Sequence, residues 1–445
     1  MSRLGACVAL GLGLWCVGSV SGAAEPDAGD VAVMDDAPPF SGTWLRPDGG
    51  LVRVGRDGSG AFLMDFASRR RWSLESRGDG LWGLDGSRPP AFVRWSPAPG
   101  APSRPVLTGL GAAPLELASH PARTEDVTFR QGDVTLSGTL WLPPGAPPRN
   151  AVVLLHEAGL GAREALEPYP AFLVHQGLAV LTFDARGTGR STGDGRPWVS
   201  GVRELADDAL AAVKLLRARL TPGGGVGLMG FGQGAWVAVN AAARAPGDVG
   251  FLVLVGGGGG PVWKQEQHRM RNEGRRRGLT GPELVDLTDF LDGLYDARLY
   301  APEGEARALK ALSFQLQRAK RKRWYAVTAL PPFKGLPVER FLEVHRQVWR
   351  NVLAYDTAED LGRVRGPVLA LLGERDEVTP AHQVARALNQ GLRLRPDAPG
   401  RALVKVIAGA DHYLAEPSTP ARSGVETVAA DALTTLSAWL HALER

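Results

Sequence analysis

The stretch GVGLMGFGQGAW, Gly225 to Trp236, decides how this chain is read. A short apolar run, Val226 to Met229, enters a Gly-x-Gly-x-Gly turn, and a helix-like run beginning QGAWVAVNAAA follows. Strand, glycine-flanked turn and helix form a nucleophile elbow, whose pattern G-x-S-x-G lifts a serine hydroxyl clear of the backbone. The five residues here are Gly230, Phe231, Gly232, Gln233 and Gly234, so a hydrogen atom stands where the hydroxyl is expected. No serine occurs from Gly201 to Leu312, so no neighbour one turn away substitutes.

Outward from this turn, buried strands alternate with amphipathic helices. AVVLL is followed by a helix expected near 163–176, LAVLTFD by one near 202–219, and the elbow strand by one near 233–245. FLVLVGG comes next, then an interruption over about 261–355. PVLALLG leads to a helix near 381–391, and ALVKVIAG to a last one near 424–443. Continuous apolar strands alternating with helices imply a mainly parallel sheet covered on both faces, an α/β fold. The interruption reads as helical and basic, with 18 Lys and Arg against 11 Asp and Glu between 261 and 350.

Residues 122–445 resemble an α/β-hydrolase, with the interruption where that family places its helical cap. More narrowly the arrangement resembles exported bacterial serine hydrolases, esterase- or peptidase-like, that carry an amino-terminal β-domain. The resemblance rests on VTLSGTLWLPPG, FDARGTGRSTGD (Phe183 to Asp194), PVLALLGERDEVTP (Pro367 to Pro380) and IAGADHYL (Ile407 to Leu414), in the family's order. It implies that Asp376 is the triad acid, His412 the triad base and Gly232 the empty nucleophile position. It also implies that HEAG, with His156, Glu157 and Ala158, forms the oxyanion loop, and that Gln233 supplies the second backbone N–H. Glu157 stands where the family more often has glycine; because the donor is a backbone N–H, the change need not abolish the hole. The ligand class implied is a small ester or amide, with no cofactor and no metal.

A Ser-His-Asp site works because histidine removes the hydroxyl proton as oxygen attacks a carbonyl. Removing the nucleophile costs on the order of 10⁶ in turnover. The sequence therefore leads to a hydrolase-fold protein deficient in acyl transfer that keeps a binding pocket. Two alternatives stand beside it. His412 could activate a water in the space left by the serine, a route supported by general-base catalysis alone. An adaptor at the cell envelope could use the β-domain and basic cap. The clusters Arg275 to Arg277 and Lys320 to Arg323 read as solvated helix faces or as contacts to an anionic surface. Asp184 and Arg186 read as braces for loop packing rather than substrate contacts.

The 445 residues are too many for one small domain. Residues 1–24 read as a signal peptide: Arg3, an apolar run from Leu4 to Val20, then the small residues SGAA. Export to the periplasm or medium is the expectation. Cys7 and Cys16, the only cysteines, both fall in that segment, which excludes a disulfide framework or a thiol nucleophile from the remainder. Residues 25–39 read as an acidic flexible leader. From 40 to 121, short strands between glycine turns indicate a small all-β unit holding Trp44, Trp72, Trp82 and Trp95, as core or as a stacking platform. The chain has 44 arginines against seven lysines, which fits GC-rich coding, and its net charge of +4 is too small to imply a nucleic-acid partner.

Overall fold

A computed structural model describes residues 37–95, 104–145, 148–196, 199–220, 223–296, 305–327, 337–393, 402–417 and 425–443. The signal-peptide reading and nearly all of the leader lie outside the described residues. The first unit is an antiparallel meander: β1 (Gly42–Leu45), β2 (Leu51–Asp57), β3 (Gly60–Asp65), β4 (Arg70–Ser76), β5 (Leu81–Leu84), β6 (Ala91–Arg94), β7 (Val106–Thr108), β8 (Leu115–Glu116) and β9 (Ala118–Ser119). Its order is β8-β7-β6-β5-β4-β3-β2-β1-β9. Trp44 and Trp72 are buried in its core, and Trp82 and Trp95 pack against it around Phe40. The Trp44 indole N–H donates to the Phe40 carbonyl at 3.0 Å, so these rings serve as core.

The second unit is an eight-stranded sheet in the order β10-β11-β13-β12-β14-β15-β16-β17. The hairpin β10 (Arg123–Gln131) and β11 (Val134–Leu142) joins antiparallel to β13 (Ala179–Phe183). The remaining strands are parallel: β12 (Ala151–Leu155), β14 (Val226–Phe231), β15 (Phe251–Val255), β16 (Val368–Gly373) and β17 (Ala402–Ile407). Period-two alternation feeds two cores. Val152, Leu154, Val253, Leu369 and Leu371 meet α1 (Tyr169–His175) and the carboxy-terminal helix on one face. Val153, Leu228, Leu252, Leu254 and Ala370 meet α2 (Val202–Arg217) and α3 (Gln233–Arg244) on the other. The inner parallel strands β12, β14, β15 and β16 are therefore buried along their whole length, as the sequence pattern required, whereas the edge strand β17 carries Lys405 and is largely half-buried or exposed.

The insertion carries α4 (Val262–Arg276), α5 (Gly281–Leu294), α6 (Glu305–Ala319), α7 (Arg323–Val327) and α8 (Val338–Val348). A lone β-bridge between Pro261 and Asp356 closes its base. Met270, Leu291, Leu316 and Phe341 continue the same core as α2 and α3, so the cap is packed onto the main body. Next come α9 (Ala358–Leu361), α10 (Ala381–Arg393) and α11 (Ala430–Leu443).

Two expected helices differ. The one near 163–176 is a single 3₁₀ turn, Arg163–Leu166, and then α1; Pro168, which has no N–H to donate, separates them. The last helix begins at Ala430, and Val425–Thr427 ahead of it forms β18, antiparallel to β4. Two β-branched residues flank Glu426 there, and the Arg71 guanidinium meets the Glu426 carboxylate at 3.1 Å. The carboxy-terminal part thus supplies a strand to the amino-terminal sheet. Arg53 with Glu167, Arg69 with Glu416 and the stacked rings of Phe66 and Phe172 tie the two units further.

Candidate active site

The elbow is built as its glycine spacing dictates. A Cβ on Gly230 would lie 2.1 Å from the Gly234 carbonyl oxygen, and one on Gly234 would lie 2.5 Å from that of Leu155. Strand, turn and helix approach so closely that both positions exclude a side chain. Between them Gly232 takes φ 47° and ψ −106°, and α3 starts at Gln233. Its carbonyl accepts from Ala235 N and its N–H donates to Val255 O at 2.8 Å, fixing the turn against the next strand.

The residues expected as acid and base, Asp376 and His412, come together from distant loops. Asp376 follows β16, and its Oδ1 accepts from the N–H groups of Val378 at 2.8 Å and Thr379 at 2.7 Å. Its Oδ2 lies 2.7 Å from His412 Nδ1, both residues being buried. Two residues not singled out in the sequence hold this loop. Thr379 donates to Gly256 O at 2.7 Å and accepts from Gln265 Nε2 of α4 at 2.6 Å. The cap thereby fixes the Asp376 loop, a contact that no local motif signals.

Glu157 takes a place that the oxyanion-loop reading did not assign it. Its Oε2 lies 2.8 Å from His412 Nε2. A Cβ built on Gly232 would fall 1.6 Å from that same oxygen, so the carboxylate occupies the room of the missing side chain. Its Oε1 accepts from Ala158 N, in the expected oxyanion loop, at 2.7 Å and from Gln233 N, the donor expected from the elbow, at 3.3 Å, so both N–H groups available to a hole are taken. The amino-terminal end of α3 favours a negative charge at that point. The expectation of free space for a water beside Gly232 is therefore corrected. The glutamate's length explains the result, since it reaches from its own loop across the elbow to His412.

Electrostatics follow from this geometry. Burial opposes a charge on His412, but the carboxylates of Asp376 and then Glu157 outweigh it and raise its pKa well above 6.5. Both ring nitrogens face carboxylate oxygens, Nδ1 that of Asp376 and Nε2 that of Glu157. Neither nitrogen is therefore free to receive a proton from a nucleophile. Beside the trio lies a cavity of about 530 Å³, lined in part by His156, Glu157, Phe183, Thr188, Gln233 and Val237. Burial pushes His156 down to about 4, and its Nε2 has no hydrogen-bond partner.

Asp184 and Arg186 act as braces. Asp184 accepts from Arg163 and from Arg190 N, and Arg186 forms a forked pair with Asp208. The basic clusters are largely paired: Arg276 with Glu377, Arg277 with Glu273, Lys322 with Asp286 and Arg323 with Glu283.

Sheet order, elbow, acid and base together define the α/β-hydrolase class. The model of the alpha/beta hydrolase family matches residues 152–423, and the chain belongs to that family. Solved structures similar to it include an esterase of Pyrococcus furiosus, 16% identical over 73% of this chain and 90% of that one, TM-score 0.41. A proline iminopeptidase of Mycobacterium smegmatis is 17% identical over 72% and 98%, TM-score 0.43. A thermophilic esterase of Thermogutta terrifontis is 16% identical over 73% and 100%, TM-score 0.41. No curated protein sequence matches the chain.

Proposed function

We propose that this is an exported α/β-hydrolase-fold protein whose acyl-transfer centre is closed by its own Glu157, leaving the adjoining cavity to bind a small ester- or amide-like molecule. The observation that carries the reading is the Glu157 carboxylate, which bridges His412 Nε2 and both hole donors. Acyl transfer needs a nucleophile, an unprotonated base and free donors for the oxyanion. Gly232 offers no nucleophile, His412 Nε2 is taken up by Glu157, and the donors already serve a carboxylate. Loss of a single hole donor costs about 10²–10³ in rate, in addition to the nucleophile's contribution of about 10⁶. Export rests on Arg3, the apolar run and the small residues before Glu25.

A serine-directed fluorophosphonate probe and short-chain aryl esters test the reading. The purified protein should resist labelling and hydrolyse esters no faster than His412→Ala. Stoichiometric labelling at any serine would overturn it. Hydrolysis by His412-activated water remains a second reading, favoured by the intact Asp376–His412 hydrogen bond. That route requires the Glu157 side chain to leave both Nε2 and the space beside Gly232, so Glu157→Gly would raise the ester rate under it; an unchanged background rate rejects it.

A further inference from the structure

Helix α4 separates its charges by face. On the buried side, Arg269 is held by Glu266 at 2.6 Å and by Glu273 at 3.5 Å. On the opposite side, Lys264, His268, Arg271 and Arg275 follow one another at helical spacing and line a cavity of about 420 Å³, completed by Gln267 and Gln383. No carboxylate lines it. Two acids around it have partners of their own: Asp292 accepts from the lining Gln267 at 2.6 Å, and Glu377 pairs with Arg276 at 3.0 Å.

The cations of this cavity differ from those of the other basic clusters. Among the described residues, Lys264, Arg271 and Arg275 form no ion pair. Arg271 Nε is out of contact with solvent and has no hydrogen-bond partner. Arg275 reaches only the Asn272 amide oxygen, at 2.5 Å. Arg271 and Arg275 also stand four residues apart on one helix face, where like charges repel and destabilise the helix. A solvated face does not need to bury a guanidinium N–H without a partner. Forked guanidinium groups suit phosphate oxygens, and a lysine adds a point charge.

We infer that this cavity of α4 is a binding site for a soluble phosphate-bearing small molecule, held by Lys264, Arg271 and Arg275. Its concave form and its volume favour a compact multivalent anion over a membrane surface. The site also adjoins the triad acid. His268 Nε2 lies 3.3 Å from the Asp376 carbonyl oxygen, and Asn272 Nδ2 reaches both that imidazole, at 2.9 Å, and Glu377 O, at 2.8 Å. An anion there would sit on the loop that holds Asp376.

The test titrates the full chain with inorganic pyrophosphate at constant ionic strength, by calorimetry and by thermal midpoint. Arg271→Gln/Arg275→Gln is compared with a charge-matched control, Lys320→Gln/Arg321→Gln, and with Lys264→Gln. Pyrophosphate should raise the midpoint of the parent and the control, and bind the arginine double variant about a hundredfold more weakly. Lys264→Gln should show a smaller loss of about tenfold. Equal affinity in all four proteins would overturn the assignment. So would a midpoint rise reproduced by sodium chloride at matched ionic strength. Binding to phosphatidylglycerol vesicles without binding to pyrophosphate would refute it as well. None of these readouts depends on ester chemistry, so failure here leaves the reading of Glu157 intact.

Discussion

Restoring the serine tests how Glu157 and Gly232 share one space. In Gly232→Ser the new Cβ would fall 1.6 Å from Glu157 Oε2, so the carboxylate must leave. It would lose its contacts with His412 Nε2, Ala158 N and Gln233 N. Hydrogen bonds to charged groups contribute about 1.5–3 kcal/mol each, and a side chain at φ 47° adds strain of about 1–3 kcal/mol. The 530 Å³ cavity can receive the displaced carboxylate and rehydrate it, which offsets part of the cost. The net effect should be about 4 kcal/mol of destabilisation, a midpoint lower by about 5 °C. The single variant should gain no esterase activity, because the displaced glutamate stays at the mouth of the site. In Gly232→Ser/Glu157→Gly the clash and the competing carboxylate are both gone. The introduced hydroxyl then faces His412 Nε2, and the hole donors are free. Fluorophosphonate labelling should become stoichiometric, and the aryl-ester rate should rise about 10²-fold or more over either single variant. Thermal midpoints are measured beside the rates. Equal labelling of Gly232→Ser and the double variant would refute the blocking role of Glu157. A folded double variant that is never labelled would refute the claim that a competent base and hole survive around the glycine.

Three further outcomes follow. Because the folded pKa of His412 is raised, its contribution to stability is complete below about pH 6.5 and is lost as pH rises through the folded value. Glu157→Gln should therefore lower the imidazole titration seen by NMR, and its stability deficit should be largest near pH 6 and shrink at alkaline pH; an unshifted titration would count against the trio. Thr379→Val strands the Gln265 amide and the Gly256 carbonyl in a buried site and should cost about 2–3 kcal/mol in chemical denaturation. Glu167→Ala leaves the largely buried Arg53 without its partner across the two units and should cost about 3 kcal/mol, most of which a double-mutant cycle with Arg53→Ala should assign to the pair.

The parts that the sequence determined by itself are those set by local periodicity and by backbone crowding. Apolar runs of five or six residues alternating with amphipathic segments could only be a sheet covered on both faces. Gly230, Gly232 and Gly234 fixed the elbow because a strand, a turn and a helix in that order leave no room for Cβ atoms at the flanking positions. Asp376 and His412 were legible through the family resemblance carried by GERDEVTP and IAGADHYL, motifs that each lie a few residues past a strand end. The tertiary structure alone decided where long side chains finish. Glu157 and His412 are 255 residues apart, and nothing in HEAG indicates that the carboxylate turns inward to meet an imidazole instead of facing solvent. The same holds for Gln265 reaching Thr379, for Val425–Thr427 choosing strand pairing with β4 over the following helix, and for which arginines of α4 found carboxylates. Backbone form is dictated by near neighbours in the chain, whereas the destination of a flexible charged side chain depends on groups that only folding brings within reach.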